Sequence, residues 1–181
     1  MKKSLLICFI LLSLGCASTQ TGGSSSGSIG SGFSFSFDNP KVKVIIPEIP
    51  QIKMGPHPMA ARGAHLRYMG SADLYNLSIL TPTADPGMTA MDCAQSIISG
   101  VVQRFGLKQD QYAVFQGLDK KTFAVFYSIK VLEFSQMNAH LVSSAAGKYC
   151  IEVHVSKMTS SEAEAKDWNK GMPNARIIEN P

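Results

Sequence analysis

The sequence predicts an α+β fold, in which helices pack against an antiparallel β-sheet. Two observations lead to this class. Several segments between residues 64 and 156 alternate apolar and polar side chains with the two-residue period of a half-buried strand. One segment, 88–105, instead has the spacing of an amphipathic helix. Read in order, the elements are β-β-α-β-β-β-β-α, which is typical of an antiparallel sheet covered by helices.

The first residues have the layout of an export signal. Two lysines, Lys2 and Lys3, precede an apolar run from Leu5 to Leu14. This run is about ten residues long, whereas a membrane-spanning helix needs about 20. The sequence therefore predicts a cleaved signal peptide over residues 1–15 rather than a permanent transmembrane helix.

The end of this signal, Leu12-Ser13-Leu14-Gly15-Cys16, resembles the lipobox of bacterial lipoproteins. Ser13 departs from that pattern, which has Leu at this place. The resemblance implies cleavage before Cys16, attachment of a diacylglycerol to its thiol, and acylation of the new amino group by a fatty acid such as palmitate. Two or more acyl chains give stable membrane attachment. The alternative is an ordinary secretory signal with an incidental cysteine.

The residue after this cysteine, Ala17, bears on the membrane that the protein reaches. By resemblance to lipoprotein sorting in bacteria with two membranes, the lack of Asp at this place favours the periplasmic face of the outer membrane. We therefore expect a protein of the bacterial cell envelope that is held at the membrane by the lipid on Cys16.

Residues 16–36 are interpreted as the lipidated cysteine and a Gly/Ser-rich tether, because this composition cannot bury enough apolar surface to fold. The tether would span about 20–25 Å on average. At its end Phe33, Phe35 and Phe37 alternate with serines, which places three rings on one side. These rings are candidate contacts for a partner, whose sheet they would extend by strand addition. Alternatively, they complete the protein's own sheet.

The rest of the chain divides into three parts. Residues 37–62 are an extended, proline-rich connector with a short strand around Val42 to Ile46, residues 63–172 form one globular α+β domain, and residues 173–181 are an irregular tail. After cleavage of the signal about 166 residues remain, which is enough for one domain with its own core.

Four strand regions are predicted within the globular domain. They are two hairpins, 64–80 and 111–134, and two single strands, 139–144 and 148–156. Apolar residues on both faces of the second hairpin indicate a strand that is covered on both sides.

Two helices are predicted. The first, 88–105, carries an apolar stripe from Met91 to Phe105. The second begins at Thr159-Ser160-Ser161-Glu162, a capping-box pattern in which the Thr and Glu side chains bond free backbone amides, and it continues to about Asn169. Both helices are expected to pack on the sheet.

This order of elements resembles the PsbP-like superfamily, which is named for an extrinsic photosystem II protein. The resemblance covers residues 63–170 and includes the stretch Ile151–Lys157, which runs from a strand into the capped helix. It implies an α/β/α sandwich that serves as a binding or assembly module rather than as a catalyst. No site residues carry over, because the likeness includes no invariant functional motif.

Only two of the four cysteines can form a disulfide in the mature chain, since Cys8 leaves with the signal and Cys16 is lipidated. Cys93 and Cys150 would then lie in an oxidising compartment, where disulfides persist. On the predicted helix Cys93 lies about 130° from the centre of the apolar stripe. A disulfide between Cys93 and Cys150, two free thiols, and an intermolecular bridge are therefore all open.

The strongest candidate for chemistry is the strand 148–156, where Cys150, Glu152 and His154 alternate with apolar residues and project from one face. Glu152 lies near enough to orient His154. Cys150 lies about 13 Å from His154 along the strand, too far for the hydrogen bond that activates a nucleophile. We therefore predict no catalytic residues and interpret this face as a polar surface, partly covered or open to water.

No cofactor or metal site is predicted. The four histidines, His57, His65, His140 and His154, lack the short spacing of paired ligands on one helix, and a site assembled from distant strands is the alternative left open. The glycine-rich run 22–32 precedes no strand-to-helix unit that would hold phosphate. After cleavage 15 of the 17 basic side chains stand against 13 acidic ones, so charge gives no reason to expect nucleic acid as a partner.

Together, these features predict a non-catalytic, membrane-anchored envelope lipoprotein that binds or helps to assemble another envelope component, through its sheet face or through residues 47–62. One alternative is an envelope hydrolase that uses Glu152 and His154, which would require a cleft where both converge with a third polar group. Another is an accessory lipoprotein of a secretion system or a toxin-neutralising immunity protein.

Overall fold

The computed structural model describes residues 33–46, 52–62, 65–161, 163–164 and 176–179. The expected signal peptide, the expected lipidation site Cys16 and most of the Gly/Ser-rich segment lie outside these residues. In the described ranges no helix is both long and apolar enough to cross a bilayer.

The described elements are labelled in chain order. The strands are β1 (Phe33–Asp38), β2 (Lys41–Ile46), β3 (Gly55–Pro56), β4 (Leu66–Ala72), β5 (Tyr75–Leu80), β6 (Tyr112–Gln116), β7 (Thr122–Val131), β8 (Phe134–Ala145), β9 (Tyr149–Thr159) and β10 (Arg176–Glu179). The α-helix is α1 (Ala90–Phe105). Short 3₁₀ segments cover Ala60–Arg62 and Gln109–Gln111.

The larger sheet has seven antiparallel strands in the order β3-β4-β5-β9-β8-β7-β6. Both predicted hairpins are present, as β4–β5 and β6–β7. β8 begins at Phe134, five residues before the predicted strand 139–144. Its first half contains Ser135, Gln136 and Asn138, and these polar residues hide the alternation on which the prediction relied.

The smaller sheet, in the order β1-β2-β10, covers one face of the larger sheet. Its inward side chains share a core with β5 and with the odd-numbered residues of β9. Removal of this apolar surface from water is the main stabilising contribution. The buried residues of the shared core are Phe35, Val42, Val44, Ile46, Ile52, Leu77, Ile79, Ala145, Ile151, Val153 and Val155.

The shared core shows that the folded domain begins earlier in the chain than the sequence predicts. The sequence placed it near residue 63, after a tether through residue 36 and a connector over 37–62. In the structure β1, β2 and Ile52 contribute buried side chains to the core, so the compact unit already includes Phe33. The prediction failed because β1 and β2 are short, and only the sheet that they cover identifies their buried faces.

The predicted irregular tail, 173–181, contains a strand. β10 pairs antiparallel with β2 and completes the smaller sheet. Ile177 packs against the shared core, whereas Ile178 is 42% exposed. Four residues are too few to show a reliable period, so only the pairing with a distant strand identifies β10.

α1 covers the opposite face of the larger sheet. Val125 of β7 packs with the helix and lies in the same cross-strand row as His140 and His154. Val153, which belongs to the shared core, points to the other face. The predicted class, an antiparallel sheet with a helix packed against it, is therefore confirmed in this coarse form. Among the described residues, the face opposite α1 is covered by the smaller β-sheet.

The buried side of α1 agrees with the predicted apolar stripe at Ala94 and Val101 and differs from it at the two ends. The residues that it buries are Ala90, Cys93, Ala94 and Val101. Met91 and Phe105, the two ends of the predicted stripe, are 42% and 41% exposed. Small residues at the contact let the helix lie close to the sheet, and the periodicity of large apolar residues does not detect this.

The predicted capping box at Thr159 is wrong. Thr159 is the last residue of β9, and its hydroxyl donates to Glu164 Oε2 at 2.6 Å. The capping side chain is instead that of Ser161, whose Oγ accepts a hydrogen bond from the backbone N–H of Glu164 at 3.2 Å. Residues 163–164 are helical, while Glu162 and the predicted helix from residue 165 to Asn169 lie outside the described residues.

Candidate functional site

A group of polar side chains lies on the helix-facing side of the larger sheet. The register sets His140 of β8 opposite His154 of β9, and Asn138 of β8 opposite Tyr127 of β7. Glu152 lies two residues before His154 and therefore projects from the same face. We call Tyr127, Asn138, His140, Glu152 and His154 the polar cluster.

The polar cluster is largely withdrawn from solvent. Asn138, His140 and Tyr127 are 2%, 6% and 9% exposed, and the side chain of Glu152 is 13% exposed. Burial of a polar group is costly unless it is hydrogen-bonded. The hydrogen bonds within the cluster therefore determine whether this arrangement is tolerated.

His140 connects a hydroxyl to a carboxylate. Its Nδ1 lies 2.7 Å from Glu152 Oε1, and its Nε2 lies 3.3 Å from the hydroxyl oxygen of Tyr127. A carboxylate only accepts hydrogen bonds, so His140 Nδ1 carries the proton. In the neutral imidazole, Nε2 then accepts the hydrogen bond that Tyr127 donates. The order of groups is hydroxyl, imidazole, carboxylate.

His154 is oriented by Asn138. His154 Nε2 lies 3.1 Å from Asn138 Oδ1, which also accepts a hydrogen bond from Gln136 Nε2 at 3.3 Å. Because an amide oxygen only accepts, His154 Nε2 donates, and the lone pair of the neutral ring lies on Nδ1. The ring stacks on His140, with centroids 4.2 Å apart and planes inclined by 7°.

Burial sets the protonation states of the cluster. Burial, and next the neighbouring His140, lower the pKa of His154 to about 4, although Glu152 acts in the opposite direction. Burial, together with the negative charge of Glu152, raises the pKa of Tyr127 to about 12, although Arg104 opposes this. At neutral pH His154 is therefore an uncharged imidazole, and Tyr127 keeps its proton.

The connection from Tyr127 through His140 to Glu152 has the order of groups used to activate a nucleophile. Tyr127 is nevertheless only 9% exposed, and its raised pKa disfavours the phenolate that would attack a substrate. A cleft of about 590 Å³ lies between the start of α1, the turn at Lys120 and Lys121, β8 and β10, and it is lined by none of the cluster residues. Glu152 and His154 thus converge with a third polar group, His140, but away from this cleft.

The cluster also brings together potential metal ligands. One donor atom from each of His140, Glu152 and His154 lies within 4.8 Å of the donor atoms of the other two. The sequence singled out Glu152 and His154 without His140. His140 stands seven residues before Gly147 and His154 seven residues after it, so a hairpin turn at Gly147 would have placed them opposite each other.

Cys150, the third member of the predicted polar face, is bonded to Cys93. The disulfide joins β9 to α1, with the two Cα atoms 5.8 Å apart. Cys93 is 1% exposed, because the buried side of α1 includes it. Of the three alternatives that the sequence left open, the structure has the bridge, and the bonded sulfurs carry no nucleophilic thiol.

Phe33, Phe35 and Phe37 lie against the protein's own core. Phe35 is 8% exposed, and its ring centroid lies 4.6 Å from that of Tyr68. Phe37 approaches the same tyrosine at 5.8 Å, and Phe33 stacks on Phe35 at 6.3 Å. Their nomination as partner contacts is therefore corrected: the three rings complete the smaller sheet of this protein.

A different strand offers an open edge. β6 ends the row of the larger sheet, and among the described residues no strand pairs with its outer side. It contains no charged residue or proline, and Val114 and Phe115 are 39% and 47% exposed. Edge strands are usually protected by charges, prolines or bulges. An edge without the first two is suited to accept a strand from another protein.

No protein-family model and no curated protein matches this chain. Function therefore has to follow from the residues themselves.

Proposed function

We propose that the protein is a bacterial envelope lipoprotein that is anchored by a lipid on Cys16 and uses its folded domain as a non-catalytic module to bind another envelope component. The main support for a binding function is the open edge of β6. The anchor and the location, at the periplasmic face of the outer membrane, rest on the lipobox-like segment and on Ala17.

The geometry of the polar cluster favours binding over catalysis. The Tyr127 hydroxyl, the imidazole of His140 and the carboxylate of Glu152 bond one another, and none of these residues lines the cleft beside the start of α1. A hydrolase would have to present its general base within hydrogen-bond distance of a bound substrate. Burial keeps His140 and Glu152 from a substrate and therefore supports the binding module over the hydrolase.

The partner that fits the β6 edge is a protein with an extended segment. Strand addition uses backbone hydrogen bonds for affinity and side chains on alternate positions for selectivity. Val114 and Phe115 lie on opposite faces of β6, so the added strand would meet one apolar side chain on each face. Since the anchor keeps the domain near the membrane, the partner is an envelope protein.

The test is capture of the partner by the lipidated mature chain, purified in mild detergent from membranes of the native bacterium. We expect the wild-type chain to retain an envelope protein and the Val114→Lys variant to lose it, because a charge on the edge disfavours strand addition. Leu132→Lys is the matched control, since Leu132 is 88% exposed and lies in the β7–β8 turn.

Equal retention by the two lysine variants would overturn the role of β6. Recovery of a second copy of this chain alone, or of no envelope protein, would overturn the proposed function. The anchor has a separate test. Cys16→Ser should leave an uncleaved precursor that takes up no labelled fatty acid, and continued labelling would contradict the lipidation.

A further inference from the structure

We propose that His140, Glu152 and His154 bind one divalent transition-metal ion of the kind that imidazole and carboxylate ligands prefer, such as Zn²⁺. The inference is independent of the lipid anchor and of the β6 edge. It starts from the convergence of these three side chains, whose donor atoms all lie within 4.8 Å of one another.

The types of ligand fit such a metal. Two imidazoles and one carboxylate are a ligand set found in catalytic zinc sites, where water or substrate takes the fourth position. Imidazole suits zinc, copper, iron and nickel, whereas magnesium and calcium prefer ligand sets made of oxygen. The site therefore selects a borderline transition metal.

The donor atoms have to move closer together, and one imidazole ring has to turn, before all three ligands can share an ion. Ligand atoms bound tetrahedrally to Zn²⁺ at about 2.0–2.1 Å are about 3.3 Å apart. The donors of the cluster, at up to 4.8 Å, have to approach by about 1.5 Å at most. The rings of His140 and His154 now lie parallel, so one of them has to turn for both lone pairs to point at one ion.

The hydrogen bonds prepare both histidines for the metal. His154 already donates from Nε2 to Asn138, which leaves the lone pair on Nδ1. In His140 the proton has to move from Nδ1 to Nε2, where the oxygen of Tyr127 can accept it. In this tautomer change the proton stays on the ring, and the hydroxyl hydrogen of Tyr127, which no longer faces a lone pair, has to turn away. Partners of this kind fix ring orientation in known metal sites.

The experiment uses the full mature chain in a non-ionic detergent, stripped with a chelator and then titrated with Zn²⁺. Bound metal is measured by elemental analysis after equilibrium dialysis and by calorimetry. We expect one zinc per wild-type chain. His154→Gln and Glu152→Gln should bind at least about 100-fold more weakly, because each removes a ligand and not merely a partner of one.

Two further variants separate metal binding from general damage. His65 is exposed and lies outside the polar cluster, so His65→Gln should bind zinc as the wild type does. Tyr127→Phe keeps the buried ring and removes only the hydroxyl that accepts the His140 proton. It should weaken binding about 10–100-fold. Circular dichroism verifies that each variant is folded.

Absence of stoichiometric zinc from the wild-type chain would overturn the proposal without reference to any variant. It would also be overturned if His65→Gln weakened binding as much as His154→Gln, or if folded His154→Gln and Glu152→Gln bound zinc normally. In the last two cases the ion would be held elsewhere on the chain.

Discussion

The imidazole rings of His140 and His154 lie parallel across the β8–β9 pair, with centroids 4.2 Å apart. Two imidazolium ions stacked at this distance would repel each other, and burial removes the water that would screen them. Burial is the larger cause of the low pKa of His154, about 4, and the charge of His140 is the second. His154 is therefore uncharged near neutral pH.

This relationship predicts a loss of stability in mild acid for the protein kept free of metal by a chelator. The unfolded chain takes up the His154 proton near pH 6.5 and the folded chain only near pH 4, so the unfolded state binds more protons between these values. The contribution of the uncharged His154 to the free energy of unfolding is complete above pH 6.5 and is lost as the pH falls towards 4. It amounts to about 3 kcal/mol, measurable by urea denaturation across this range.

His140 and Glu152 both face His154, so the His154→Gln variant, which removes only the group whose pKa is lowered, is the reference. Its free energy of unfolding should fall less steeply between pH 6.5 and pH 4. The difference in slope from the wild type should correspond to the uptake of up to one proton. Parallel pH profiles for the wild type and the variant would contradict the shifted pKa of His154.

The disulfide between Cys93 and Cys150 predicts a large effect of reduction. It closes a loop with a sequence separation of 57 and ties α1 to β9. In the chain-entropy model such a loop contributes about 4 kcal/mol by restricting the unfolded chain. The Cys93→Ala/Cys150→Ala double variant should therefore lose about this much in denaturant unfolding. Reductant should shift the wild type similarly and leave the double variant unchanged; an unaffected wild type would contradict the bridge.

The sequence predicted elements whose evidence is local. Alternation identified β4 and β5, the hairpin of β6 and β7, and the strong strand β9, because each run shows its buried face without reference to distant residues. The spacing of apolar residues likewise located α1, although the side that it buries was set by small residues. Antiparallel pairing followed from the turns.

What the sequence missed depends on distant pairing. β10 acquires its structure from β2, which lies more than a hundred residues away along the chain. Phe35 gains a buried position only because the smaller sheet covers β5 and β9. His140 joins Glu152 through the β8–β9 register, and the weakly alternating β8 concealed that register. In each of these cases the position of the residue depends on a strand that is distant in the sequence.

Substitution of Gly70 tests whether the segment before β4 packs closely on that strand. A Cβ atom at Gly70 would lie 2.6 Å from the backbone oxygen of Lys53 and 2.9 Å from Met54 Sδ. Backbone cannot move aside cheaply, so Gly70→Ala should destabilise the protein by about 1–3 kcal/mol in thermal or urea unfolding. Gly55→Ala is the control, since a Cβ there meets nothing within 4 Å. Equal stability of the two variants would show that residues 53–54 do not contact β4.

Phe35 tests whether β1 belongs to the folded domain. Its side chain is buried in the shared core, so Phe35→Ala should cost about 3–5 kcal/mol in denaturant unfolding through lost burial and a cavity. Ser36→Ala on the same strand, at an exposed position, should change stability by less than about 0.5 kcal/mol. If Phe35→Ala instead unfolded like the wild type and lost the captured envelope protein, the ring would serve the partner. β1 would then be a docking segment next to the proposed tether and not the first strand of the core.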